Sequence, residues 1–385
     1  MAYHIDWVVK ASKLCNLRCS YCYEWDELAD PARMSPECWE GVLTAVRDHL
    51  ENTTRGWAWH GGVVQADIIW HGGEPMLLPE SYFEAVLDLQ RRIFPAEWLA
   101  SGTVRNTMQT NLYSVSDRKL ALLKEHGFSF GVSYDHVPGT RLSAGGAETE
   151  ARVLKNIERA QGHGFDPGAI LVLAGHTAPH VEQVYAALKG RVRSLNVLPL
   201  FNGPDARPMQ GTDISRDAVV DAMFRLFVTW IADGCEMPVE PIERYFAAVL
   251  NRRLGLAMRP YDRERYGDSV VVVNIDGTLR TPGGGYGSAP LGDLKHQRWA
   301  EITQSDAYRR SLSQEGRARS AICGSCAYFG ACNSYPLFAD DDGGIAAGEC
   351  RIAQPVMRLI DSYLDELGVD DGVVSEAFDA HMYTQ

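Results

Sequence analysis

The chain of 385 residues has no apolar run long enough to cross a bilayer. Its start, Met1 to Lys13, lacks the long apolar stretch and small-residue cleavage site of a secretory signal. Basic charge is also short, with 37 Lys and Arg against 50 Asp and Glu and a net charge of −13, so there is no polybasic footprint for nucleic acid. No repeat with a period of 20–50 residues and no low-complexity tract appears. These absences point to a cytoplasmic protein with neither a membrane nor a nucleic acid as partner. In that setting nine cysteines argue against a disulfide framework and for metal or redox chemistry. Seven of them fall in two groups near opposite ends, at 15, 19 and 22 and at 323, 326, 332 and 350. Cys38 and Cys235 read as inert thiols.

What is present is an alternating pattern. Apolar or β-branched runs at Trp7–Ala11, Ile68–Trp70, Val104–Met108, Phe128–Ser133, Ile170–Leu173 and Leu195–Leu200 read as strands. Helical periodicity lies between them at Ser35–Leu50, Pro79–Arg92, Ser116–Glu125, Ala147–Ala160 and Ala178–Leu188. Ser35-Pro36 and Ser116-Asp117 are helix starts. Six strand–helix units imply a parallel sheet and are too few for an eight-fold barrel. The fold class expected is α/β, a partial (β/α)6 barrel with its site at the carboxyl ends of the strands. Phe201–Asp213 reads as a linker, with helices at Ala218–Ala232 and Pro241–Leu256. Val270–Ile275, Asp276-Gly277 and Thr278–Arg280 read as a hairpin, Pro282–Gly287 as a loop and Pro355–Leu367 as an amphipathic helix.

Cys15, Cys19 and Cys22 form C-x3-C-x2-C directly after a strand. Three thiolates in a short loop can ligate three irons of a [4Fe–4S] cube and leave one iron open, whereas structural zinc prefers four closed ligands. The spacing, with Tyr21 before the last cysteine, resembles the radical S-adenosylmethionine (SAM) superfamily. The resemblance implies that SAM chelates the open iron and is cleaved to a 5′-deoxyadenosyl radical. His71-Gly72-Gly73-Glu74-Pro75 resembles the Gly-Gly-Glu-Pro motif of that family, with Glu74 placed to accept from the SAM ammonium group and His71 beside it. Gln109-Thr110-Asn111 resembles Gln-Thr-Asn-Gly, with Leu112 in place of glycine. Ser133-Tyr134-Asp135-His136 resembles Ser-Leu-Asp-Gly. There Ser133 and a following arginine would hold the SAM carboxylate. Arg141 is the candidate arginine and Arg152 the alternative. The SAM-contact set is thus Tyr21, His71, Gly72, Gly73, Glu74, Gln109, Asn111, Ser133 and Arg141.

Cys323, Cys326 and Cys332 give C-x2-C-x5-C, followed by Cys350. By spacing alone the four thiols suit zinc or a fully ligated [4Fe–4S] cluster equally. The pattern resembles the SPASM extension of radical SAM proteins, whose full form has seven cysteines for two auxiliary clusters. Here Thr281-Pro282 after the hairpin, the Leu291–Leu294 segment and Pro336 stand without the inner-cluster cysteines. Two [4Fe–4S] clusters in all are therefore expected, one binding SAM and one auxiliary.

This set of features resembles, most narrowly, cyclophane-forming maturases of ribosomally made peptides, which join an aromatic side chain to a β-carbon. The alternatives are a radical SAM dehydrogenase of a small molecule such as an aminocyclitol or sugar, and a sulfatase-maturase-like enzyme making formylglycine. The implied partners are a precursor peptide and an electron donor such as flavodoxin or ferredoxin. Only fourteen residues precede Cys15, which leaves no room for a leader-binding winged helix. Either a separate leader-binding protein supplies that module, or the leader adds as a strand to a sheet edge, or the substrate is not a peptide. Glu51–Gln65, with Trp57 and Trp59, reads as a lid or a surface loop. No spacing argument selects a catalytic base among Asp135, Asp276, Tyr286 and Arg280. The expected division is 1–213 partial barrel, 214–258 helical linker, 259–352 SPASM-like domain and 353–385 helix and tail.

Overall fold

A computed structural model describes residues 2–57, 63–200, 212–255, 270–280, 290–329, 332, 350–368, 370–374 and 376. Trp59, Tyr286, Pro336, the Pro282–Gly287 loop and all of the expected linker but Thr212 and Asp213 lie outside these residues. In chain order the strands are β1 (Ala2–Ser12), β2 (Leu17–Cys19), β3 (Val63–Gly72), β4 (Val104–Thr110), β5 (Ser129–Ser133) and β6 (Arg141–Ser143). They continue as β7 (Gly168–Leu173), β8 (Leu195–Pro199), β9 (Val239–Glu240), β10 (Val270–Val273), β11 (Thr278–Arg280) and β12 (Gly292–Asp293). The chain divides into two compact units. One comprises 1–133, 138–167 and 264–315, the other 134–137, 168–263 and 316–385.

In the first unit the strand order is β12-β11-β10-β1-β3-β4-β5. The pairs from β10 to β5 are parallel, and β10-β11 and β11-β12 are antiparallel. All six expected strands form. So does the hairpin, whose Val270–Val273 arm adds to the free side of β1. A strand has a period of two, and one set of alternate residues packs under helices: Ile5, Trp7, Val9 and Ala11, then Ala66, Ile68 and Trp70. Trp70 packs at a tilt against Trp39 of the helix Pro36–Trp57, with ring centres 4.5 Å apart. Its Nε1 donates to Asn106, which exchanges amide hydrogen bonds with Gln90 of the helix Glu80–Ile93, so every polar atom of that buried trio is paired. The helix Pro36–Trp57 continues past the Leu50 expected, and Glu51–Trp57 is its last turns rather than a loop. Ser116 caps the helix Asp117–Glu125 through Lys119 N, as its sequence position implies.

The opposite set faces the other way. Register pairs Lys10 with His71, Trp70 with Met108 and Gln109 with Gly131. Lys10, His71, Gln109 and Ser133 therefore share one face near the carboxyl ends of neighbouring parallel strands.

At the amino ends of the same strands His4 Nε2 lies 2.8 Å from Asp6 and 3.4 Å from Asp67, and Arg105 grips Asp67 with two nitrogens. The hydrogen bonds to Asp6 and then Asp67 push the His4 pKa up to about 9. A histidine raised in the folded state contributes stability fully below its unfolded value of about 6.5 and loses it as pH rises to about 9. Thermal melts are expected to show the midpoint falling across that window, and His4→Gln is expected to flatten the slope. An unchanged slope would refute the assignment.

In the second unit β7, β8 and β9 run parallel. Their helices are Val181–Leu188, Arg216–Ala232, Ile242–Arg253 and Ala353–Leu367. Arg253, near the end of its helix, binds Asp361, Asp365 and Asp371, and Arg252 lies over the ring of Tyr328. This network fixes the helix Ala353–Leu367, which follows Cys350. No helix among the described residues is long and apolar enough to cross a membrane.

Candidate active site

Cys15 follows β1 and its amide donates to Leu28 O. The loop then enters β2, which pairs antiparallel with β6 so that Cys19 sits opposite Arg141. Arg18 holds the turn by donating to the carbonyls of Cys15 and Leu17. Cys15 Sγ accepts from Leu17 N at 3.4 Å and from Asn111 Nδ2 at 3.7 Å. Burial first, and then charge on neighbours, Cys19 among them, together push the Cys15 and Cys22 thiols up to about 12. Three soft donors that oppose one another's ionisation in this way suit a cationic iron centre, which would hold them all as thiolates.

The Gly-Gly-Glu-Pro segment braces this loop. Gly73 N donates to Ser12 O at 2.7 Å and Glu74 N to Leu14 O at 2.8 Å. Gly72 has φ +113°, and a Cβ there would fall 2.1 Å from Ser12 O; at Gly73 it would fall 2.2 Å from Lys13 O. What the two glycines admit in this structure is the backbone of the cysteine loop. Glu74 is buried. Its Oε1 accepts from Met76 N and Thr110 Oγ1, and its Oε2 from Asn111 N. Burial raises its carboxyl pKa against the pull of those donors and of Arg141. One acceptor position on Oε2 is left for a ligand ammonium group.

Tyr21 OH accepts from Arg141 Nη1 at 2.6 Å, and Arg141 is buried with its carbonyl held by Thr149. Arg152 is exposed and lies over the ring of Tyr113. Of the two arginines, Arg141 stands with the cysteine loop. Gln109 reaches across Gly131, where a Cβ would meet its Oε1 at 2.3 Å, and donates to Ser133 Oγ at 2.9 Å. Asn111 binds Asn16 as well as Cys15. His71 Nδ1 accepts from Gly72 N at 2.7 Å, which puts its proton on Nε2. Burial and the Lys10 charge hold its pKa down at about 4, so the ring is neutral.

Leu112 and His136 stand where the resembling motifs have glycine, and both are left-handed, with φ of 49° and 51°. Leucine in that region costs about 1–2 kcal/mol. Asn156, which gave no signal in the sequence, secures the turn by donating to Leu112 O and Tyr113 O. Buried Lys119 likewise holds Met76 O and Leu78 O, both at 2.6 Å. Among the candidate bases, Asp276 Oδ1 is taken up by Thr278 N and Oγ1 within the hairpin turn. Asp135 is buried and accepts from Val172 N.

The second cysteine group lies in the second unit from the end of the helix Asp306–Cys323 onward. Cys326 N donates to Cys323 O and Cys332 N to Tyr328 O. Cys350 is raised by burial and then by charge on Cys326, opposed by amides at the start of the following helix. The Cys326 and Cys350 sulfurs thus lie close enough to interact, and sulfur donors of this kind suit an iron–sulfur centre.

Residues 9–188 match the Radical SAM superfamily. The chain carries a radical SAM domain. Radical SAM enzymes bind a [4Fe–4S] cluster and SAM and perform radical redox chemistry, and SPASM-type relatives carry auxiliary clusters. A serine-type anaerobic sulfatase-maturating enzyme of Klebsiella aerogenes is 28% identical over 212 residues, 53% of this chain and 48% of that protein. The chain thus spans about half the length of such curated relatives. The structure of native anSMEcpe with bound AdoMet and Cp18Cys peptide superposes with a TM-score of 0.70 at 18% identity, covering 99% of both chains. Streptococcus suis SuiB bound to precursor peptide SuiA superposes with a TM-score of 0.58 at 15% identity, covering 87% of this chain and 72% of that one. These two likenesses are of fold: radical SAM α/β, with a large parallel sheet and a cysteine-rich C-terminal region.

Proposed function

We propose that this radical SAM protein is a maturase of ribosomally made peptides that forms an oxidative crosslink from an aromatic side chain to a β-carbon. The observation that carries this reading is the presence of two separate thiol sets, three cysteines braced by Gly72–Glu74 and four more in the second unit. On this reading Cys15, Cys19 and Cys22 hold the SAM-binding cluster of a partial (β/α)6 barrel. Cys323, Cys326, Cys332 and Cys350 hold one auxiliary cluster. When bound, the first cluster and SAM supply a 5′-deoxyadenosyl radical that takes a hydrogen from substrate carbon. Glu74, Ser133 and Arg141 orient SAM by its ammonium and carboxylate groups, while Tyr21 fixes Arg141. Neutral His71 offers an Nε2–H donor on the same face as Gln109 and Ser133. Joining two C–H carbons releases two hydrogens, so a second electron and proton must leave the peptide, and an auxiliary cluster is a suitable electron acceptor.

The same reading keeps the division into 1–213, 214–258, 259–352 and 353–385. It places the enzyme in the cytoplasm with a flavodoxin or ferredoxin as electron donor and a separate leader-binding protein.

Similarity to the Klebsiella enzyme favours a second reading, formylglycine formation. Anaerobic reconstitution, then reaction of peptides encoded beside the gene with SAM and reductant, separates the two by mass spectrometry. Loss of two hydrogens with an aromatic residue linked in the fragments, and no reaction with a hydrazide, is the expected result. A hydrazide-reactive aldehyde product would establish formylglycine formation instead. Deoxyadenosine with every peptide unchanged would favour the small-molecule dehydrogenase, and its absence at full iron loading would overturn the catalytic reading.

A further inference from the structure

One residue outside every motif touches two of the four C-terminal cysteines. Gln354 lies in the first turn of the helix Ala353–Leu367. Its backbone amide donates to Cys350 Sγ at 3.3 Å, and its side-chain Nε2 donates to Cys326 Sγ at 3.4 Å. The amino end of a fifteen-residue helix, with its partial positive charge, therefore stands over the Cys350 sulfur. The helix cannot slide away readily. Arg253, largely buried, binds Asp361 Oδ1 at 2.7 Å, Asp361 O at 2.8 Å and Asp371 Oδ1 at 3.0 Å.

We propose that Gln354 is a positioning residue for the auxiliary cluster, fixing its Cys326–Cys350 edge by N–H···S hydrogen bonds and raising its reduction potential. The inference rests on the reading that these four cysteines hold an iron–sulfur cluster. An added electron increases the negative charge on the cluster and its sulfurs, so donors aimed at sulfur stabilise the reduced state more than the oxidised one. Hydrogen bonds to charged acceptors are about twice as strong as neutral ones, so loss of one is expected to be measurable. An amide suits this position because it donates without adding net charge. The consequence is functional: a raised potential makes this cluster a better acceptor for the electron that must leave an oxidised substrate.

The test is an EPR-monitored redox titration of the anaerobically reconstituted full chain, native and with Gln354→Met or Gln354→Glu. Added SAM perturbs the first cluster and so distinguishes its signal. At the native midpoint of the auxiliary cluster, Gln354→Met is expected to lower the reduced-to-oxidised ratio about tenfold, equivalent to about 59 mV for a one-electron couple. Gln354→Glu, of the same shape but with a repelling carboxylate, is expected to lower it further. In both variants the first cluster should titrate as in the native chain, which a general loss of structure would not allow. Native potentials in either variant with the auxiliary cluster loaded would overturn the inference. A native chain with only the first cluster's iron, or with zinc bound to the second cysteine group, would overturn the underlying reading, and that outcome is seen before any variant is made.

Discussion

Replacing Cys19 with alanine is expected to abolish reductive cleavage of SAM, whereas replacing Cys350 with alanine is expected to leave cleavage in place and remove the oxidised peptide. Cys19 lies in β2, in register with Arg141 of β6, and without it the loop offers two thiols to a centre that needs three. Losing a partner outside the ligand sphere of a metal site already costs about 10–100-fold, so the loss of a ligand is expected to exceed about 100-fold in deoxyadenosine formation. Alanine is the better choice because a serine oxygen can replace the thiolate. Cys350 belongs to the other unit. On the proposed reading its loss opens the auxiliary site and strands the second electron, so turnover is expected to become uncoupled. Deoxyadenosine and peptide product, measured by chromatography and mass spectrometry on the same samples, give both rates. A Cys350→Ala enzyme that crosslinks at the native rate would eliminate the auxiliary cluster as electron acceptor.

Much of the fold was legible because its signals are local and periodic. Alternation in Val104–Met108 and Ile170–Leu173, and the serine caps at Ser35 and Ser116, depend on residues within a few positions of each other, and the structure forms those elements. The β2–β6 ladder was not legible. Each strand is three residues long, too short to show a period, and its partner lies more than a hundred residues away. That ladder is what separates Arg141 from Arg152, two basic residues that the sequence left as alternatives. The run Val270–Val273 announced a strand but not its neighbour, because four valines fit any buried edge; the edge it takes is that of β1. Glu74 illustrates a different limit. Its motif marks it for a ligand ammonium group, while geometry shows three of its four acceptor positions committed to Met76, Thr110 and Asn111. Gln354 lies outside any pattern, since a glutamine in a first helical turn is ordinary until the sulfurs it touches are placed.

The shared use of Glu74 leads to the second large expected effect. Glu74→Gln preserves shape and volume, yet it is expected to lower stability by about 2–4 kcal/mol and cut iron loading at the first site. All three protein partners of the carboxylate are donors, and a carboxylate accepts at both oxygens. An amide has one oxygen and one NH2. If the oxygen serves Met76 N and Thr110 Oγ1, the NH2 group is turned against Asn111 N–H; the reverse placement opposes Met76 N–H and takes the acceptor away from the Thr110 hydroxyl. Either way at least one buried donor is left unsatisfied, which costs about 1–3 kcal/mol, with repulsion added. The damage falls on the cysteine loop because Glu74 N and Gly73 N are the bonds that brace Leu14 and Ser12 just before Cys15, and Asn111 is the residue that reaches Cys15 Sγ. Thermal melting of the apoprotein and iron analysis after reconstitution read the two consequences separately. If Glu74 served only to bind SAM, Glu74→Gln would melt and load iron like the native chain and weaken only SAM binding. If it holds the loop as the hydrogen bonds indicate, the melting midpoint and the iron content fall before any SAM is added.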